Sequence, residues 1–463
     1  MAIMSEQVQH ATGKRYQSEL LQHMFAHILC NHRHTITGLL ETLGREQQDW
    51  SKAYRLYQKY VDETKIFNPI IDGILKLIPN DTPLVIAVDD SHIRKTGMHV
   101  DGAGWYKDPL GPPFHVNLTY AQKFIQLSAA VPDPNDPKRS RMIPIAVALI
   151  PKLPKPSENA SPEELKRYAQ IKEKNTPCAY ACRMLQNIRE YLDLTGYKKK
   201  DMCVCGDGHY STSTLIPNLP PRTVYIGRTR SDMNLHAVPS TPESPSVGRP
   251  KSYGEKLQTP EELRKDKSIP WNNLNIRNGN ETISIRYKEM EEAKWQPAGE
   301  KTVVKIVIIA PLRYKKRKNG QWRYTKPAYL ICTDTELPIQ KLIQAYFWRW
   351  GIEVNFREEK QLFGTGEAQI RNAPGVSTAP IVSIAAYATL LLAGIKTYGF
   401  NSSPQYSPPK WYKQKQKSHL FTSDLIKQVR KELMLKGSYN FLPLYINQKM
   451  NMNGEKLFFW QVS

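Results

Sequence analysis

Apolar positions in the first 80 residues recur at three- and four-residue spacing. SELLQHMFAHILCN (18–31) and ITGLLETL (36–43) show it best, and the spacing predicts amphipathic helices. At Leu84 the period changes. LVIAVD (84–89), FIQLSAAVP (124–132), MIPIAVALIP (142–151), MCVCGDG (202–208) and RTVYIGRT (222–229) are short apolar runs suited to buried strands. Between the third and fourth runs, 162–194 is charged and helical, with Pro177 expected to break it. A helix is expected after MCVCGDG. The order predicts an α/β fold with a mixed sheet. Asp89 and Asp207 stand at the carboxyl ends of the first and fourth strands, where open α/β sheets place their sites.

Residues 232–335 read differently. A Pro- and Ser-rich loop leads into strand candidates ETISIRYKEM, KTVVKIVIIAPLRYKK and QWRYTKPAYLICT, with Asn319-Gly320 as a hairpin signal between the last two. This is a β-rich insertion. One long helix is predicted from Pro338 to Phe363. APIVSIAAYATLLLAGI (379–395) reaches the short limit for a membrane span, but it carries Ser383, Tyr387 and Thr389 and stands alone, so a buried core helix is the expectation. A polar, Pro-rich stretch and a final helix, SDLIKQVRKELML, precede a short tail. The divisions are therefore 1–80 (helical, a DNA-binding region or packing on the core), 81–231 and 336–398 (two parts of one core), 232–335 (insertion) and 399–463 (basic C-terminal region).

Charge narrows the partners. The 65 Lys and Arg against 43 Asp and Glu leave a net +22, which points to a polyanion, with nucleic acid foremost. The six cysteines form no paired C-x-x-C knuckles and read as reduced thiols. His23, His27 and Cys30, with His32 and His34 close by, are the best zinc candidate. The opening MAIMSEQVQHATGKRYQ lacks the apolar core of a signal peptide.

The stretch AYFWRWGIEVNFREEKQLFG changes the weight of the two aspartates. On a continuous helix at about 100° per residue, Tyr346, Arg349, Glu353 and Lys360 fall within about 60° of one another. A solvated helix with an Arg349–Glu353 ion pair explains the charges equally well. It does not explain why the helix follows two carboxylate-tipped strands in so basic a chain. The spacing Tyr346-x2-Arg349-x3-Glu353-x6-Lys360 resembles the Y-R-E-K signature of insertion-sequence-four-type DDE transposases and their 701-type relatives. Asp89-Asp90-Ser91 resembles the first motif of that family and CGDGHYS (205–211) the second, so the likeness covers about 84–396.

The resemblance implies a ribonuclease-H-like core and cut-and-paste transposition at terminal inverted repeats. It implies Asp89, Asp207 and Glu353 as catalytic metal ligands. Two Mg²⁺ ions about 4 Å apart, or Mn²⁺ in their place, suit hard oxygen donors and phosphodiester cleavage. Tyr346, Arg349 and Lys360 would grip the phosphates of double-stranded DNA at the transposon end. Asp90 rivals Asp89, but strand alternation puts the two on opposite faces, and Asp89 leaves Ser91 at the matching spacing. Lys315, Lys316, Arg317, Lys318 and Arg323 around the Asn319-Gly320 turn form a DNA-backbone contact or a solvated hairpin tip. Trp271, Trp295 and Trp322 are candidates to stack a flipped base, or they are core. His92, Arg94 and Lys95 lie just after Asp89 and are candidates for further substrate contacts. A homodimer in the synaptic complex and a bacterial cytoplasmic, nucleoid-associated location follow from the family, with no role at a membrane. A nuclease on another substrate and a domesticated DNA-binding protein are the alternatives.

Overall fold

A computed structural model describes residues 2–108, 114, 116–239, 251–278, 281–317, 319–400 and 421–436. Lys318, and 401–420 and 437–463 of the C-terminal region, lie outside the described residues.

Five helices come first: α1 (Ala2–Ala11), α2 (Lys14–Leu29), α3 (Ile36–Thr42), α4 (Ser51–Leu56) and α5 (Asn68–Leu75). Then follow β1 (Leu84–Arg94), β2 (Gly104–Lys107), β3 (Leu118–Asp133), β4 (Asp136–Ile150), α6 (Pro162–Lys174), α7 (Pro177–Leu194), β5 (Met202–Gly206) and β6 (Thr223–Arg228). Pro177 opens α7, because its missing N–H is harmless in a first turn. The next elements are α8 (Pro260–Lys265), β7 (Asn272–Asn278), β8 (Glu281–Lys294), β9 (Val303–Ile309), β10 (Arg313–Lys315), β11 (Trp322–Tyr324) and β12 (Ala328–Cys332). Helices α9 (Ile339–Trp348), α10 (Gly351–Leu362), α11 (Ala373–Tyr398) and α12 (Thr422–Lys436) complete the described chain.

Ten strands join one mixed sheet in the order β2-β3-β1-β5-β6-β12-β9-β8-β7, with β4 also on β3. Antiparallel β4, β3 and β1 continue into parallel β5 and β6. That order agrees with the expected ribonuclease-H-like core. The strands of 232–335 extend the same sheet, since β12 pairs antiparallel with β6. Among the described residues, only β10 and β11 stand apart, as the two-stranded hairpin that Asn319-Gly320 signalled.

Three expectations need correction. Strand β1 does not end at Asp89 but continues to Arg94, because β3 pairs with it along that whole length. No helix follows Asp207. The Asp207 side chain accepts a hydrogen bond from the His209 N–H, making an Asx turn, and Pro217, Pro220 and Pro221 leave only a short 3₁₀ turn at Ile216–Asn218. The long helix at 338–363 is broken at Arg349–Trp350. There the bonds tighten to Ile352 N–H to Arg349 O (3.0 Å) and Glu353 N–H to Trp350 O (3.1 Å). Gly351 lies so close to β4 that a Cβ would sit 2.5 Å from the Met142 side chain. Close packing on the sheet thus accompanies the break.

Helix α11 is the buried core helix expected, with Ile381–Leu392 almost without solvent contact. It packs on α1, α2, α5, β4 and α10. Apolar residues of α1–α5 belong to the same continuous core as the sheet. Gly73 on α5 shows how tight the contact is: a Cβ there would lie 2.4 Å from Leu392.

Candidate active site

Register builds the site. Strands β1 and β5 are parallel neighbours whose last pair is Ala87 with Cys205. Two residues further along each chain stand Asp89 and Asp207, so the two carboxylates leave adjacent strands at the same level. Adjacent strands lie about 4.8 Å apart. Burial pushes the Asp89 carboxyl up to about 7; the Asp90 N–H, bonded to it at 2.8 Å, opposes the rise, and the Asp207 charge adds to it.

Alternation then separates Asp89 from Asp90. Asp89 and Ser91 share a face with Gln126 and Phe124, their partners on β3. Helix α10 covers that face: Phe356 meets Phe124 edge-on at 5.6 Å, and Lys360 Nζ donates to Ser91 Oγ at 2.6 Å. Asp90 points the other way. Its Oδ1 accepts from Tyr210 Oη at 2.9 Å and its Oδ2 pairs with Lys123 Nζ at 2.9 Å. Both of its oxygens are thus engaged away from Asp89.

The break between α9 and α10 brings Arg349 over the aspartates. Its guanidinium lies 3.7 Å from Asp89 Oδ2 and donates to Glu353 Oε1 at 3.1 Å, while resting 5.6 Å from the Tyr346 ring. Burial works against the Arg349 charge, but Tyr346, Glu353 and Asp89 outweigh it and hold the charge more firmly than usual. Its buried Nε has no hydrogen-bond partner. Lys360 titrates below its ordinary value because of burial. Asp89, Asp207, Glu353, Tyr346, Arg349 and Lys360 are therefore gathered on one side of the sheet. Among the described residues no three acidic, His or Cys side chains close on a common point. Arg349 occupies the space between Asp89 and Glu353 instead. The donor set still fits a hard divalent cation: carboxylate oxygens only, including a like-charged Asp pair that raises the Asp89 pKa.

Other candidates fall elsewhere. His92 lies on the Asp90 face, its ring 4.6 Å from that of Tyr106. Arg94 is exposed and pairs with Asp108 at 2.8 Å. Lys95 turns inward beside His27 and His34, 3.5 Å from Gly366 O, and burial lowers it to about 8. Lys315 and Arg323 lie on the exposed β10–β11 hairpin, and Lys316 and Arg317 on its turn. Trp322 is about half exposed there, with Arg313 stacked 3.8 Å and Lys315 4.6 Å from its ring. Trp271 packs on a small cluster of Leu263, Ile308 and Tyr329, and Trp295 packs on the main core. The zinc candidate does not close into a site among the described residues: His23 bonds Tyr57 Oη, His27 bonds Phe363 O, and His32 contacts Cys30 Sγ. Sequence reasoning missed Lys123 and Tyr210. Tyr210 was within the quoted CGDGHYS motif, but Lys123 had no local signal, because only the β3 register brings it to Asp90.

Residues 6–298 match the family described as DDE superfamily endonuclease. The matched span contains Asp89 and Asp207 and stops before Glu353. No curated protein matches the chain.

Proposed function

The chain belongs to the DDE superfamily endonucleases, and from that premise we propose that it is a cut-and-paste DNA transposase of the insertion-sequence-four type. The observation that carries this reading is Arg349. It links Asp89 to Glu353 and lies against Tyr346, which joins three members of the Y-R-E-K set to the first aspartate.

In this reading Asp89, Asp207 and Glu353 hold Mg²⁺, with Mn²⁺ as a substitute. When bound, the ions activate the attacking oxygen and stabilise the leaving one. The chain's own residues do the rest. Arg349 exchanges its carboxylate partners for a DNA phosphate, to which its planar fork is equally suited. Tyr346 flanks that phosphate, and Lys360, kept near the site by Ser91, supplies a second positive charge. Lys315, Lys316, Arg317 and Arg323 make backbone contacts on the DNA from the projecting hairpin, with Trp322 exposed beside them. The partner is double-stranded DNA, at the element's ends and at its target, and the working form is a homodimer that pairs two ends at the bacterial nucleoid.

The test is a cleavage and joining assay on DNA bearing the terminal repeats that flank the gene, with Mg²⁺. Cutting followed by strand transfer supports transposition. Cutting without joining makes the protein a nuclease of the same superfamily. Binding with neither outcome, in Mg²⁺ or Mn²⁺, makes it a DNA-binding protein only.

A further inference from the structure

The rear face of β1 carries a contact that the proposed chemistry does not use. Tyr210 is fully buried and lies three residues beyond Asp207. Its hydroxyl donates to Asp90 Oδ1 at 2.9 Å, and Asp90 is the immediate neighbour of Asp89. The hydrogen bond therefore spans from the turn that carries Asp207 to the strand that carries Asp89.

Every other anchor of that turn holds it from a different side. Ser211 Oγ donates to Arg228 O at 2.7 Å at the end of β6, and Thr212 Oγ1 contacts Cys178 Sγ at 3.4 Å on α7. Neither touches β1. The parallel ladder between β1 and β5 has already ended at Ala87 and Cys205. Above that pair, the Tyr210–Asp90 bond is the side-chain link between the two carboxylate-bearing segments among the described hydrogen bonds. Lys123 fixes the opposite oxygen of Asp90 at 2.9 Å, so the acceptor is held from both ends.

We infer that Tyr210 and Asp90 are positioning residues, a rear brace that sets the separation of Asp89 and Asp207 for a divalent cation. The inference rests on the metal-site reading above. Two carboxylates that bind one cation jointly lose affinity when their spacing is free to vary, because the ordering must then come from the binding itself. A brace on the opposite face supplies that order without touching the cation or the DNA.

The experiment is calorimetric titration of the DNA-free protein with Mn²⁺, paired with thermal unfolding without metal and with DNA binding in EDTA. Tyr210→Phe keeps the ring that fills the core and removes only the donor. It should raise the Mn²⁺ concentration at half-saturation about five- to tenfold, with DNA binding in EDTA unchanged. Asp90→Ala should shift it likewise, whereas Asp90→Asn, which still accepts the Tyr210 hydroxyl, should stay within about twofold of the parent. An unchanged midpoint in both Tyr210→Phe and Asp90→Ala overturns the brace. So does an Asp90→Asn shift as large as that of Asp90→Ala, since charge rather than the hydrogen bond would then be responsible. If Tyr210→Phe does not fold, the two Asp90 variants decide the matter. Asp89→Ala is the control that separates the two ideas. If it too leaves Mn²⁺ binding intact, the carboxylate site itself is wrong; if it abolishes binding while the brace variants do not, only the brace fails.

Discussion

Gln126 donates a 2.9 Å hydrogen bond to Glu359, and Gln126 stands directly opposite Asp89 in the β1–β3 register. Glu359 is fully buried, and its second oxygen has no partner. Burial raises this carboxyl to about 8, with Gln126 and Lys360 opposing the rise. A raised carboxyl binds its proton more tightly in the folded state. Its contribution is therefore intact below the unfolded value of 4.5 and lost as pH rises through about 8. The loss is on the order of 4–5 kcal/mol by pH 9. Glu359→Gln should flatten the pH dependence of stability between those values and be the more stable protein at pH 9. Urea titrations across that range check it, and parallel curves for the two proteins would refute it.

Glu19 is the opposite case. Burial raises its carboxyl, but hydrogen bonds from His23 and Arg45 outweigh this and hold it at about 2. The stabilisation is present above pH 4.5 and lost as pH falls toward 2. Arg45 Nη1 lies 2.7 Å from Glu19 and is itself nearly buried. Glu19→Ala leaves that guanidinium with the neutral Gln22 but no counter-charge, and should destabilise the protein by about 3 kcal/mol at pH 7. Thermal melts at pH 7 and pH 3 should show the gap between variant and parent narrowing in acid.

At the carboxylates, Asp89→Ala, Asp207→Ala and Glu353→Ala should each abolish cleavage and leave DNA binding in EDTA largely intact. Gel-shift and cleavage assays on the same DNA read both. Normal cutting by any one variant removes that residue from the set.

If Arg349 grips DNA as proposed, Arg349→Ala should weaken DNA binding and lower the salt slope of log K by about one, as expected for a lost phosphate contact. It should also unfold at no lower temperature than its burial alone dictates, since Asp89 and Glu353 are both partly exposed. Titrating the complex from low to high salt checks the first point. An unchanged slope would make Arg349 a partner of the carboxylates only.

Much of this was legible from the residues, for identifiable reasons. Period and turn chemistry located the strands around Asp89 and Asp207, the Pro177 break and the Asn319-Gly320 hairpin, because each depends on neighbours in sequence. Alternation alone put Asp89 and Asp90 on opposite faces. The break at Arg349 was not legible, because it coincides with the approach of Gly351 to Met142, 209 positions earlier in number and on another element. The same holds for Lys123, which reaches Asp90 only through strand pairing. On one straight helix Tyr346, Arg349, Glu353 and Lys360 would share a stripe. The four still gather on one side of the sheet, although the helix axis is interrupted among them.

Helix α11 has a consequence in time as well as in space. Thr389 bonds Gln7, and Thr378 bonds the backbone at Lys59 and Val61. Helices made some 300 residues or more before α11 thus complete their packing only when α11 arrives. Until Tyr398 has emerged, their apolar faces lack the surface they are shaped to fit. During synthesis they must be shielded or stay unformed, and a chain cut short before α11 would present them to solvent and to one another. Synthesis through α11 is thus the condition for a soluble product.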